Sequence, residues 1–278
     1  MSDKQNIRAG NESTNVQGKD ITVNQYNGLT YSDVKEVAMD IFKSNFYELG
    51  EKAAENARDR AEQITNDYLE KLEKDSPESI NNVDDPDVQY AIYTTQMQHA
   101  RLGNKEISEL LVEVLVSRTK IVDETFLRLV LNESLQVIPK LTLRQIDALT
   151  FLFLVREARY EGSLEEYIST VMPFSESLSL ESIFYQHLQY TGCISISIAS
   201  SEFNNIVKKN YPDRFEKSNV NVSDELMAID HNVGRVQDYW KDSYAKNSTL
   251  TSVGIAIAHA NFVYKTGFKV DLSSWIKE

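Results

Sequence analysis

LTYSDVKEVAMDIFKSNFYELGEKAAENARDRAEQITNDYLEKL, residues 29–72, reads as one long amphipathic helix. Apolar or small side chains recur at Val34, Val37, Ile41, Phe42, Leu49, Ala53, Ala57, Ala61, Ile64, Tyr68 and Leu72, mostly three or four apart. Charged residues such as Lys35, Glu36, Lys43, Glu51, Glu55, Arg58 and Glu62 keep the other side wet. At 1.5 Å per residue such a helix extends roughly 65 Å, more than the diameter of a small domain. It therefore either lies across a bundle of its own chain or meets another chain. Around Ala53, Ala57 and Ala61 the face narrows to small side chains, which permits close approach of a second helix. Gly50, near the middle, costs about 1 kcal/mol relative to alanine and is the place for a bend.

Upstream, residues 1–28 form a polar leader in which Ile21 and Val23 alternate with polar residues between Gly18 and Gly28. A strand that short cannot stand alone, so if ordered it pairs with the body or with another subunit. Together these features nominate a self-association interface of Ile21, Val23, Val34, Val37, Ile41, Ala53, Ala57, Ala61 and Ile64. It is coiled-coil in kind, although the register is not a strict heptad.

Downstream, residues 73–84, with Pro77 and Asn81-Asn82, read as a linker, leaving 29–74 as a separable helix. Asp85-Pro86 then offers a cap and a proline at the first helical position. Asp84, Asp85 and Asp87 lack the glycine and distal glutamate of a calcium loop and are read as a solvated helix start. A helical module over 85–173 follows, with apolar stripes at Ile107, Leu110, Leu111 and Val114 and at Phe126, Val130, Leu131 and Leu135. Thr142 with Gln145 makes a capping box for a helix too uniformly apolar for a surface, its terminal charges (Arg144, Asp147, Arg156, Glu157, Arg159) closing the fold as ion pairs. Ser163 with Glu166 opens a shorter helix that should end before Pro173.

The second module, 174–278, has a winged-helix-like element. A helix ending near Gly192 leads into CISISIAS, where Ile194, Ile196 and Ile198 alternate with small polar residues as in a strand. Its partner strand is expected near Ser218–Val222, and a long helix over Asp224–Ala245 should follow. Lys208, Lys209, Arg214 and Lys217 form a modest basic cluster able to touch phosphate. Thr251 caps a last helix, Gly267 ends it, and Trp275 with Ile276 clamps the C-terminus on the body. The fold class is thus mostly α: a long N-terminal amphipathic helix, then a helical body.

Composition narrows function. With 42 acidic against 29 basic residues and a net charge of −13, broad attraction to nucleic acid is disfavoured, and so is insertion of the acidic helix into an anionic bilayer. A single cysteine, Cys193, precludes an internal disulfide, and no signal segment or bilayer-length apolar run occurs, so a cytoplasmic location is expected. His99, His187, His231 and His259 sit singly, Cys193 opens an apolar strand, and neither a phosphate loop nor HExxH nor GxSxG is present. No catalytic residue, metal site or cofactor is assigned, and an enzyme is disfavoured.

Residues 15–62 (NVQGKDITVNQYNGLTYSDVKEVAMDIFKSNFYELGEKAAENARDRAE) resemble a leader found on uncharacterised bacterial proteins, including the LPO_1073/Vpar_1526 family, and on multidomain proteins attributed to phage defence. LTLRQIDALTFLFLVR (141–156) and LTSVGIAIAHANFVYKTGFKVDLSSWI (250–276) also resemble that family. A fainter similarity links 87–117, the Ile146 region and LTSVG to the Abi-alpha abortive-infection proteins. The leader and long helix point to a homo-oligomeric interaction or sensor protein whose helical body recognises an unidentified protein partner, and the resemblance implies a setting in bacterial antiviral defence. The alternative is a winged-helix-like nucleic-acid-binding regulator.

Overall fold

The computed structural model describes residues 31–215, 220–268 and 270–277, apart from the side chains of 31–34 and 44–49. The leader with Ile21 and Val23 lies outside the described residues, as do Lys217 and part of the expected strand at Ser218–Val222. The chain divides into two compact units, 1–53 and 54–278. The fold is mostly α, as the sequence periodicity requires.

Helix α1 is Tyr31–Asp75. In the second unit its last turns bury Ile64, Tyr68 and Leu72. A 3-10 turn, Pro77–Asp84, leads to α2 (Pro86–Leu102), α3 (Lys105–Thr119) and α4 (Phe126–Val137). The stretch expected to be a linker is thus the end of α1 and an ordered turn. Ser76 and Ser79 are buried there, and Asn82 Nδ2 donates to the Thr119 carbonyl at 2.9 Å. Asp85 caps α2 by accepting the amides of Asp87 and Val88, and Gly103 closes that helix with φ 62°.

Helices α5 (Leu143–Arg156) and α6 (Leu164–Ser175) carry the two capping boxes read in the sequence, Thr142 with Gln145 and Ser163 with Glu166. Every residue from Gln145 to Val155 except Asp147 is buried, so α5 is the centre of the body. Pro173 does not stop α6, which runs on to Ser175. It falls in the last turn, where one missing amide donor costs little, and burial of Phe174 holds the turn in place.

Beyond α6, the chain forms α7 (Ser182–Tyr190), β1 (Ile194–Ile196), α8 (Phe203–Asn210), α9 (Pro212–Phe215), α10 (Val222–Ile229), α11 (Val233–Asp242), β2 (Ser248–Leu250) and α12 (Ser252–Thr266). Three expectations are corrected here. β1 pairs antiparallel with β2, Ile194 opposite Leu250, and not with a strand at Ser218–Val222, since Val222 already opens α10. The long helix over Asp224–Ala245 is broken between α10 and α11, where the Asp230 carboxylate accepts the Asn232 amide at 2.8 Å and offers the backbone a turn. The strand ends at Ile196, and Ile198 is fully exposed.

α12 packs against α5, α3 and α4, so the modules expected over 85–173 and 174–278 share one core. Its first turn passes so close to β1 that a Cβ on Gly254 would run into the Cys193 carbonyl. Gly267 ends α12 with φ 73°, as its position in the sequence suggested. The tail then closes on the body: Trp275 Nε1 donates to the Glu157 carbonyl at 3.0 Å, and its ring meets Phe153 at 5.0 Å.

Gly254→Ala should lower stability by about 1–3 kcal/mol, because α12 must retreat from β1 to admit one methyl group. Chemical denaturation checks this, and an unchanged midpoint would show that the close approach is not required.

Candidate interaction surface

In the first unit, residues 35–43 of α1 are exposed. Val37, Met39, Ile41 and Phe42 are 52%, 45%, 59% and 58% exposed, a cluster of large apolar side chains within six residues of one helix. Val37 and Ile41 lie one turn apart on the same face. Lys43 pairs with Asp40 at 3.7 Å, a solvated contact of little energetic weight. Ala53 is exposed, and the Val34 side chain lies outside the description.

Along the part of α1 in the second unit, exposure declines in steps. Ala57 and Ala61 are half-buried, and Ile64 is 1% exposed inside the chain's own core. Of the nominated interface residues, Ile64 therefore serves packing within the chain. Directed polar contacts fix this part of α1 against its neighbours. Arg60 donates to the Ala100 carbonyl at 3.1 Å, Gln96 to Thr65 at 2.8 Å, and Tyr68 shares a 2.9 Å bond with Thr119. Lys71 reaches Glu113 at 2.9 Å. On α2, Tyr90, Tyr93 and Met97 form a second exposed apolar stripe with helical spacing, which the sequence reading did not single out.

The strongest electrostatic feature was also missed in the sequence. Arg118, on the apolar helix α3, is fully buried; it donates to the Asp87 carboxylate, to Asn132 at 2.9 Å and to the Ile121 carbonyl at 2.9 Å. Arg128 and Asn132 also donate to Asp87, each at 3.0 Å. Desolvation opposes ionisation of Asp87, but the bonds from Arg118, Asn132 and Arg128 outweigh it and hold the carboxyl down at about 2. A charge ending an otherwise apolar stripe was the available signal. The cluster is saturated by its own members and ties α2, α3 and α4 together.

The groups considered for chemistry remain scattered. His187 bonds Gln145 at 2.9 Å, His231 is exposed beside Asp230, and His259 Nε2 lies 2.8 Å from the Val270 carbonyl. His99 is buried, neither ring nitrogen has a partner among the described residues, and burial, aided by the Arg60 charge, lowers its pKa. Cys193 is fully buried, which pushes its thiol up to about 11, a poor nucleophile. Among the described residues no group of His, Cys, Asp and Glu could hold a metal ion, and no helix is long and apolar enough to cross a membrane.

In the basic cluster, Lys208 and Lys209 are exposed at the end of α8, whereas Arg214 is engaged by Glu225 at 2.5 Å and Glu165 at 3.3 Å. The expected ion pairs around α5 are realised differently. Asp147 pairs with Lys265, and Arg156 donates to the Ala245 and Lys246 carbonyls and stacks on Trp240.

A family model matches residues 28–233 and 217–276, and it corresponds to the bacterial family whose phrases the sequence resembles. No curated protein and no solved structure matches the chain.

The Asp87 network gives a pH signature. Its folded value lies below that of a free carboxylate, so its stabilisation, on the order of 1–2 kcal/mol after solvent screening, is complete above about pH 4 and is lost as pH falls through about 2. The stability difference between the wild-type chain and Asp87→Asn should shrink between pH 4 and 2 in urea titrations. A constant difference would contradict this assignment.

Proposed function

The chain belongs to the LPO_1073/Vpar_1526 family, and from that premise we propose a homo-oligomeric interaction or sensor protein of bacterial antiviral defence that assembles through the N-terminal half of α1. The observation that carries the proposal is the exposure of Val37, Met39 and Ile41 on a helix whose other half is a core element. Each such side chain, about half exposed, forgoes on the order of 1 kcal/mol of transfer free energy while it stays in water, and a second copy of the same helix supplies a matching apolar face.

The Tyr90, Tyr93 and Met97 stripe offers a further contact for a partner protein, made of the aromatic and methionine side chains in which interfaces are enriched. Non-enzymatic action is supported by the buried Cys193 thiol and by the engagement of His187 and His259 in structural hydrogen bonds. The alternative, nucleic-acid regulation through Lys208, Lys209, Arg214 and Lys217, has less support because carboxylates already occupy Arg214.

The full chain should run in light scattering as an oligomer at micromolar concentration, and Val37→Glu with Ile41→Glu should reduce it to a monomer while leaving the thermal midpoint of the body within a few degrees. A monomeric wild-type chain, or an oligomer indifferent to both substitutions, would refute assembly through α1.

A further inference from the structure

Between the end of α5 and the C-terminal tail lies a cavity of about 170 Å³. Its walls are apolar and largely aromatic: Phe153 and Leu154 from α5, Phe262 from α12, and Phe268 and Trp275 from the tail. The rings are arranged as a box. Phe262 and Phe268 stack at 6.0 Å, while Phe153 and Trp275 meet edge to face at 5.0 Å. His259 closes one side, its ring 5.9 Å from Trp275 and its Nε2 bonded to the Val270 carbonyl, so the imidazole is held in place as a wall.

One polar feature stands apart from this lining. Arg159 is exposed at the cavity and, among the described residues, is the only charged side chain lining it. Among the described residues it has neither an ion pair nor a hydrogen bond, whereas the nearby Arg156 is engaged by two carbonyls and the Trp240 ring. No carboxylate side chain among the described residues lines the cavity.

We propose that this cavity binds a small aromatic monocarboxylate, with the ring seated among Phe153, Phe262, Phe268 and Trp275 and the carboxylate paired with the Arg159 guanidinium. Size favours a single ring: an apolar cavity of about 150 Å³ takes up benzene, close to the volume here. Charge selects the carboxylate, because a planar guanidinium with free donors matches it through paired hydrogen bonds. The tail supplies two of the four ring walls, so occupancy also fastens the tail to α5. This inference does not depend on assembly through α1.

The test uses the full-length chain, benzoate as probe and benzyl alcohol as its uncharged counterpart, read by calorimetry and by Trp275 fluorescence, with Trp275→Phe assigning the signal. Benzoate should bind saturably and about tenfold more tightly than benzyl alcohol, and Arg159→Gln should remove that preference while sparing benzyl alcohol. Ala158→Phe, which fills the cavity from the wall just beyond α5, should abolish binding of both. Failure of benzoate to saturate, equal affinity for the two probes, insensitivity to Arg159→Gln, or full binding to Ala158→Phe would each overturn the proposal.

Discussion

Helices α5 and α12 are pinned together by one polar cluster set in an otherwise apolar contact. Asn261 donates to Thr150 at 2.8 Å and to the Asp147 carboxylate at 2.9 Å, Lys265 donates to the same carboxylate at 2.6 Å, and Thr150 lies 3.3 Å from the Ala258 carbonyl. Apolar packing alone would tolerate a slip of the two helices along each other. A buried amide cannot, since leaving its donors unmet costs about 1–3 kcal/mol. The cluster thereby sets the register on which α3, α4 and α6 settle, places Gly254 against β1, and puts Phe153 beneath the tail.

That body includes the last turns of α1. Ile64, Tyr68 and Leu72 belong to the same apolar core as α3 and α5, and Arg60, Thr65, Tyr68 and Lys71 add directed contacts. Segments of one helix consequently meet different physical conditions. From Ile64 onward, burial against its own chain stabilises it. Over residues 35–43 its apolar side chains face solvent, and helix propensity alone is marginal support in water. Assembly would supply the missing burial and so links the architecture to the proposed role.

Much of this was legible in sequence because the signals were local. The capping boxes at Thr142 and Ser163, the Asp85-Pro86 start, the Gly267 stop and the uniformly apolar α5 each depend on residues within a few positions of one another. The Trp275 clamp was readable because a large aromatic side chain a few residues beyond the Gly267 stop gains most by docking back on the apolar helices before it. What could not be read depends on partners distant in the chain. β1 finds β2 across more than fifty residues, where alternation indicates a strand but not its mate. Nothing adjacent to Arg118 in the chain marks its role, because Asp87 and Asn132, which receive its donors, lie 31 and 14 residues away. The Pro77 stretch had the composition of a linker, yet buried Ser76 and Ser79 and the Asn82 bond make it part of the fold.

Hydrogen–deuterium exchange at two protein concentrations addresses the central claim, that α1 is core at one end and assembly surface at the other. Amides of residues 60–75 should be protected to the same degree at submicromolar and high micromolar concentration, while those of residues 35–53 should gain protection only at the higher one. Exchange over 35–53 that is fast at both concentrations, or equally slow at both, would contradict the account.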